Sequence, residues 1–402
     1  MIGYQPVAEG PRRYCCTERL VASTKCTPGQ PLVSTSPDGA GGGTPWSSRI
    51  NFMGAREVTS PGTDAKLRVN STGMFHLWFL TCDAQLAATQ VHGFSMWKNP
   101  GGYLPGMMAP MMGFTRTMTL AYVLLSLAWL LACAVNWVHT LPLQHCISGV
   151  LVLGMAEMMT WHTDHSQFNA TGLRPLGLTL TAVLLGACRK TLARVLLLVA
   201  AQGYGIVRPT LGQEVTQRIA ALGLAYFMAT CSLEITSHVG TVDDLARTTR
   251  VLLVAPVAGL DALFIVWTFA SLSATLAVLS ARMAAAPKLA LYKRFTNALA
   301  AAVTVSIAWI GYETWFKLSD AHNAHWRSEW ITAAFWHVLS YALVVAMCLT
   351  WAPRDAVAEF VRSTSQHGDL HLMPLSPTVA GEEAGGHAAD ELGSRPAPEK
   401  MS

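Results

Sequence analysis

The sequence predicts an all-α membrane protein in which a seven-helix bundle follows a β-rich N-terminal part. Two properties of the whole chain point to lipid: 51% of its 402 residues are apolar and only 13% are charged, about half the charged fraction of a typical soluble domain. The third observation is a series of long apolar segments with short polar stretches between them. The mean hydropathy of +0.34 agrees with this assignment.

The N-terminal part, residues 1–100, is the candidate for a folded domain outside the membrane. KLRVNSTGMFHLWFLTCDA and TQVHGFSMW are rich in β-branched and aromatic residues between turn signals, which predicts strands. No apolar stretch typical of a signal peptide opens the chain. Either the first span inserts unaided or the natural start lies upstream, and we expect the second.

Four cysteines lie in this N-terminal part: Cys15, Cys16, Cys26 and Cys82. In an oxidising compartment they can form two disulfides, and four cysteines allow three connectivities. The other five lie in apolar segments, where cysteine packs as a small hydrophobic residue.

Residues 101–116 are interpreted as a linker and residues 117–353 as the bundle. Each apolar segment of the bundle approaches or exceeds the roughly 20 helical residues that cross the hydrocarbon core. The seven segments begin at Thr117, Cys146, Pro175, Ile219, Val251, Phe295 and Trp330. Residues 354–402 are polar and rich in proline and glycine, which predicts a disordered tail.

The orientation of the bundle depends on two sequons, because the Lys and Arg residues are shared almost evenly between the two sides. Asn70 and Asn169 each begin an Asn-X-Ser/Thr triplet and are candidate glycosylation sites. Both lie outside the cytosol only if the N-terminus is lumenal or extracellular. With seven spans, the C-terminus is then cytosolic.

Three cations interrupt the third apolar segment, which runs from Pro175 to Val207: Arg189, Lys190 and Arg194. One interpretation is that they mark a membrane edge and extend to the headgroups. Their central position instead predicts that they lie near mid-bilayer, where an unpaired charge costs a few kcal/mol or more. Lys190 and Arg194 are four residues apart and share a helix face, whereas Arg189 points elsewhere.

Acidic and titratable residues on other segments predict a polar cavity inside the bundle. We expect Glu157 and Asp261 to compensate the cations, with water or a lipid headgroup sharing the site. A structural ion-pair network and a ligand or ion path both remain open. The predicted cavity or path residues are Glu157, Arg189, Lys190, Arg194, Asp261, Glu313 and His337.

Several function classes find no support in the sequence. HExxH, GxSxG and paired intramembrane aspartates are absent, the seventh segment has no lysine for a retinal Schiff base, and no basic stripe suggests nucleic acid binding. The HxxH pairs His162/His165 and His322/His325 lack further metal ligands. They are interpreted as loop histidines without a role, with pH sensing as an alternative. We therefore predict no enzyme activity, no metal and no cofactor.

Five motifs resemble the lung seven-transmembrane receptor family, also described as Golgi-dynamics-domain seven-transmembrane (GOST) proteins. They are WKNPGGYLPG, FNATGLRPLG, RKTLARVLLLVAAQGYGIVRPTLG, LYKRFTNALA and WRSEWITAAFWHVLSYALVVAMCLTWAP. The resemblance is to the transmembrane-protein-87-like branch, especially its plant and algal members, and extends from Trp97 to Pro353. YCCTERLVASTKC resembles the family's lumenal domain more loosely.

The resemblance implies a lumenal β-sandwich of the Golgi-dynamics type and residence in Golgi or related endomembranes. It implies a role in membrane and protein trafficking, with an unknown protein cargo and a cavity that holds a phospholipid. The family's basic third-helix motif corresponds to Arg189, Lys190 and Arg194. The resemblance therefore implies that these three residues line the cavity. Because some relatives are argued to be pH-sensitive cation channels and others orphan receptors, those two functions remain alternatives. The chain departs from the family at its front, since family members have a signal peptide and a longer lumenal domain.

Overall fold

The structure is a computed structural model that describes residues 95–137, 141–204, 207, 210–239, 247–281, 286–319 and 325–353, with single positions nearer the N-terminus. The strands expected in residues 1–100, Asn70 and the tail 354–402 lie outside the described residues or almost wholly so. Within the described part of the chain, extended structure is limited to isolated bridges. The N-terminal β-sandwich stays a prediction.

Seven long helices form the described bundle. Six of them are long and apolar enough to cross a membrane, and the remaining one, Leu176–Ala201, is the helix with the three cations. This confirms the prediction of a helical membrane protein. The helices are α1 Ala109–Val135, α2 Pro142–Thr171, α3 Leu176–Ala201, α4 Gln213–Val239, α5 Arg247–Ser280, α6 Ala286–Ser319 and α7 Glu329–Thr350.

Helix α3 lies at the centre of the packing, since it contacts α2, α4 and α5. Helix α1 packs against α2 and α7, and α6 contacts α5 and α7. Helices α1 and α2 approach closely at Gly154, where a Cβ would meet the Tyr122 ring at 2.5 Å. Tyr122 is fully buried there, together with Ile147 and Leu151 of α2.

Helix α1 begins at Ala109, so the linker expected over residues 101–116 is helical in its second half. Pro110 is compatible with this start because the first turn of a helix needs no hydrogen bond from its N–H groups. Upstream, Asn99 and Gly102 close a turn with two backbone hydrogen bonds of 2.8 and 3.1 Å. The end of the bundle next to this turn is called the linker end below.

Helix α3 ends at Ala201, earlier than the continuous run to Val207 that the sequence suggested. Gly203 adopts φ +83°, a left-handed conformation that glycine accepts and that stops a helix. Neighbouring helices then satisfy the freed carbonyls: Thr275 Oγ1 donates to Ala201 O at 2.9 Å and Tyr292 Oη donates to Ala200 O at 3.2 Å. The end of α3 that faces away from the linker end is thus fixed to α5 and α6.

Both N-terminal disulfides are formed in the structure. They join Cys15 to Cys82 and Cys16 to Cys26, which is one of the three connectivities that the sequence left open. The longer link spans 67 residues and ties the start of the chain to a position close to the linker.

Candidate functional site

The three cations of α3 each form an ion pair with an acid from a different helix. Arg189 Nε donates to Glu157 of α2, and Arg194 Nε donates to Asp261 of α5. Lys190 Nζ donates to Glu234 of α4 at 2.6 Å. Successive helical residues point about 100° apart, so Arg189 and Lys190 reach different neighbours. Helix α3 is therefore joined electrostatically to α2, α4 and α5.

The three pairs differ sharply in their access to solvent. The Arg189 and Glu157 side chains are each only 2% exposed. Those of Lys190 and Glu234 are 29% and 25% exposed, and those of Arg194 and Asp261 are 33% and 29% exposed. The α2–α3 pair is dry, whereas the other two remain accessible.

A glycine makes room for the dry pair. A Cβ on Gly186 of α3 would lie 2.8 Å from Glu157 Oε1, so a larger residue would push the carboxylate away from Arg189. Arg189 also brings Nη2 to 3.5 Å from Glu157 Oε1, which makes the contact two-pronged.

Arg194 is held from two sides. Its guanidinium lies 4.8 Å from the centroid of the buried Tyr226 ring, within cation–π range, while Asp261 accepts its hydrogen bond. Tyr226 of α4 in turn packs edge-on against Phe264 of α5 at 5.7 Å. These contacts orient Arg194 while about a third of its side chain stays exposed.

All three cations line one cavity of about 60 Å³ between α2, α3 and α7. No acid is among its lining residues, although Glu157, Glu234 and Asp261 are bound to the three cations. The volume has room for a few water molecules or one small polar group. Its remaining walls are largely apolar and consist of Ile147, Val150, Ala193, Leu196, Leu197, Ser340, Leu343, Val344 and Met347.

A second polar cluster lies at the linker end. Asp164 accepts a hydrogen bond from Thr179 Oγ1 at 2.6 Å, and Arg174 Nε lies 3.7 Å from it. The His165 ring contacts Trp161 O at 2.5 Å. Trp161 stacks at a tilt on His238 of α4, with the ring centroids 4.9 Å apart. This cluster continues towards Lys190, because His238 Nε2 lies 3.6 Å from Glu234 Oε2.

Two predicted path residues, Glu313 and His337, are not among the residues that line the cavity. Glu313 accepts hydrogen bonds from Lys317 Nζ at 2.5 Å and from Trp336 Nε1 at 3.4 Å. His337 lies in α7 with its ring 6.2 Å from that of Phe114. Neither residue is part of the cavity lining. Their place in a ligand or ion path stays a prediction.

The candidate glycosylation site Asn169 has a structural role that the sequence did not reveal. Its Oδ1 accepts from Leu104 N at 3.1 Å and its Nδ2 donates to Gly101 O at 3.0 Å, so its amide holds the linker turn against α2. Glycosylation at Asn169 stays a prediction, and the modified nitrogen would first have to leave Gly101. Asn70 lies outside the described residues.

The HxxH residues form no metal site in the described part of the chain. The interpretation of His162 and His165 as loop residues is wrong, because both lie within helix α2 and His165 is buried. His162 Nδ1 contacts Met112 O at 3.2 Å, and His322 lies outside the described residues. Among the residues placed, no cluster of three or more His, Cys, Asp or Glu side chains has a geometry that would hold a metal ion.

Glu234 is the site residue that sequence reasoning did not select. It lies only about a turn and a half from the end of α4, which suggested a position close to the membrane surface. Its contact with Lys190, near the middle of α3, shows that the two helix ends are not level. The sequence feature that could have identified Glu234 is its spacing of four residues from His238, which places both side chains on the same face of α4.

Known proteins are similar to the bundle. The profile of the family described as "GOST, seven transmembrane domain" matches residues 110–357. Transmembrane protein 87B of Mus musculus is 31% identical over 307 residues, covering 75% of this chain and 54% of that protein. Transmembrane protein 87A of Homo sapiens is 32% identical over 256 residues, or 64% and 45% of the two chains. Membrane protein PTM1 of Saccharomyces cerevisiae is 24% identical over 308 residues, or 73% and 56%. The chain spans about half the length of these curated relatives.

Proposed function

Because the chain belongs to the GOST seven-transmembrane family, we propose that it is a non-enzymatic Golgi or endomembrane protein that takes part in membrane and protein trafficking. In this proposal its bundle binds the anionic headgroup of a membrane lipid. The supporting observation is the cavity between α2, α3 and α7, which is lined by Arg189, Lys190 and Arg194 and by no acid. Such a wall presents positive potential to the interior of the cavity.

The chemistry of this wall suits a phosphate group. Arginine and lysine donate charge-assisted hydrogen bonds to phosphate oxygens, and arginine does so with two parallel donors. A headgroup phosphate bound there would be shared between the accessible cations, Lys190 and Arg194.

The apolar walls suit the rest of a lipid. A second, smaller cavity of about 10 Å³ lies between α3, α6 and α7 and shares Leu197, Leu343 and Met347 with the first. Apolar lining therefore extends from the charged site towards α6, which is the least enclosed of the candidate spans. An amphiphile suits this arrangement, because its polar headgroup would contact the cations and its apolar part would contact the apolar lining.

We further propose that the N-terminal part is a lumenal β-sandwich of the Golgi-dynamics type, with the C-terminus in the cytosol. The disulfides Cys15–Cys82 and Cys16–Cys26 support this orientation, because disulfides form and persist in oxidising compartments such as the secretory lumen. The topology is tested by adding a protease site to each terminus in sealed microsomes. Cleavage at the N-terminus before detergent is added would contradict it.

The alternative of a cation channel has less support. A conducting path must reach both ends of the bundle, yet Trp351 packs edge-on against Tyr292 and Phe295 at the end away from the linker, with centroids 5.8 and 6.1 Å apart. The cations also line the cavity themselves, which disfavours a passing cation.

The lipid proposal is tested by purifying the protein in mild detergent and measuring its co-purifying phospholipids by mass spectrometry. We expect anionic phospholipid with the unmodified chain and severalfold less with Arg194→Gln or Lys190→Gln. Arg218→Gln is the matched control, since Arg218 is an exposed cation paired with Glu214 at the start of α4. Equal lipid content in all four proteins would refute the binding site.

The trafficking proposal needs a separate test in cells. Deleting the gene is expected to redistribute Golgi-resident membrane proteins, and the unmodified chain is expected to restore them where Arg194→Gln does not. A deletion that leaves their distribution unchanged would contradict the trafficking role while leaving lipid binding untouched.

A further inference from the structure

We infer that His238 controls the anion affinity of the cation-lined cavity through Glu234, so that the cavity binds anions more tightly when His238 is protonated. This inference rests on the proposed anion site and adds a regulatory residue outside its lining. The geometry behind it is a single carboxylate shared by a cavity lysine and a histidine.

Glu234 uses a different oxygen for each partner. Its Oε1 accepts from Lys190 Nζ at 2.6 Å, and its Oε2 lies 3.6 Å from His238 Nε2. His238 is one turn further along α4 in the direction of the linker end. The three side chains thus form a continuous line from the end of the bundle to the cavity wall.

The two ends of this line have the required exposure. His238 is half-buried, with its ring against Trp161, so protons from solvent can reach it. Lys190 lines the cavity directly. Glu234, between them, is half-buried and does not line the cavity.

Counting charges gives the direction of the effect. Imidazole is the side chain that gains a positive charge as the pH falls from about 8 to about 5. With neutral His238, Glu234 balances Lys190 and the group of three has no net charge. With protonated His238, two cations share one carboxylate and the net charge is +1. The potential at the cavity then becomes more positive, which favours an anion.

Other titratable groups surround this line of side chains. On α7, His337 also interacts electrostatically with Lys190 and Glu234, and the His238 variants described below separate its contribution from that of His238. On α2, the neighbouring titratable residues are His165, which is buried against Trp161, and Asp164, which is engaged by Thr179 and Arg174. Two further ions are already paired. On α3, Arg189 is bound to Glu157, and on α5, Asp261 is bound to Arg194.

The experiment measures binding of a pyrene-labelled phosphatidylglycerol to the purified full-length protein in detergent at pH 7.5 and pH 5.5. This phosphodiester keeps one negative charge at both values, so any pH effect belongs to the protein. One added charge within about 10 Å of a half-buried site changes affinity roughly tenfold. We expect an increase of this size for the unmodified chain at the lower pH.

Variants that fix the charge of each group make the test specific. His238→Gln is expected to show the weaker affinity at both pH values, and His238→Lys the stronger affinity at both. Glu234→Gln is also expected to bind strongly at both, because Lys190 is released from its counterion. His145→Gln is the matched control, since His145 is exposed at the start of α2, at the opposite end of the bundle, and should keep the full pH effect.

The outcomes separate the two proposals. Binding that is pH-independent, yet weakened by Arg194→Gln, leaves the anion site standing and overturns the role of His238. A pH effect that persists in both His238 variants overturns it as well. Binding that Arg194→Gln does not change refutes the anion site itself, and the inference fails with it.

Discussion

The α2–α3 contact and the α3–α4–α5 region contain the same kind of ion pair in different surroundings. Arg189 and Glu157 are dry, and their contact is packed so closely that a Cβ on Gly186 of α3 would overlap the Glu157 carboxylate. Lys190 and Arg194, a few residues along the same helix, keep roughly a third of their side chains exposed. Chemistry alone does not distinguish these pairs, but burial does.

The difference assigns separate roles to cations that look equivalent in the sequence. A buried ion pair cannot exchange its partner, because either ion left alone would stay in a low-dielectric interior. A half-exposed pair can do so at small cost, since water or a ligand replaces the lost contact. We therefore expect Arg189 to stabilise the fold, and Lys190 and Arg194 to bind the ligand.

The largest expected effect follows from breaking the dry pair. Glu157→Gln leaves the Arg189 guanidinium buried without a counter-charge, which costs about 3–5 kcal/mol. Thermal unfolding of the purified protein in detergent measures it as a large fall in Tm. Arg189→Met should have a similar cost, because it leaves the Glu157 carboxylate buried without a counter-charge.

The double variant Arg189→Met with Glu157→Leu is the control for this prediction. Replacing both ions by apolar residues removes the stranded charge, so most of the stability should return. A double variant as unstable as the sum of its single changes would show that the pair is not coupled, and the comparison would lose its basis.

A change next to the pair is expected to have an intermediate effect. Gly186→Ala places a Cβ 2.8 Å from Glu157 Oε1, and relieving this overlap costs about 1–3 kcal/mol. Gly177→Ala on the same helix has open space around it and should leave Tm unchanged or raise it slightly, because alanine favours the helix over glycine. If Gly186→Ala and Gly177→Ala have the same Tm, the close approach of Glu157 to α3 does not contribute to stability.

The smallest effects on stability are expected at the accessible pairs. Asp261→Asn and Glu234→Gln should each change the free energy of unfolding by about 1 kcal/mol or less. Each also releases a cavity cation from its counterion, so co-purifying anionic phospholipid should increase. Unfolding measurements and lipid analysis on the same samples check both parts, and a large loss of stability would remove the distinction between the two regions.

Much of the fold was predictable, because a membrane helix is encoded by a continuous apolar run. The ends of helices were harder to place. Helix α1 starts at Ala109, within the proline-containing stretch that was interpreted as linker. Helix α3 stops before Gly203, although the apolar run continues to Val207. Backbone geometry at a single residue set the second boundary, and hydropathy does not report it.

The site was predictable to the extent that depth in the membrane follows from sequence position. Counting along α2 and α5 identified Glu157 and Asp261, which face Arg189 and Arg194. Glu234 was passed over because counting assumes that all helices end at the same level. Glu313 and His337 were included by their depth, which says nothing about the direction in which a side chain faces. Neither lines the cavity, and their part in a path stays a prediction.

The distribution of partners along the chain also constrains how α3 enters the bilayer during synthesis. Glu157 precedes α3, so Arg189 meets its counterion as soon as α3 leaves the ribosome. Glu234 and Asp261 are translated 44 and 67 residues after the cations they neutralise. Helix α3 is not among the helices apolar enough to insert by composition, so we expect it to wait beside the translocon until α4 and α5 emerge. The last ion pair to form then releases the central helix into lipid.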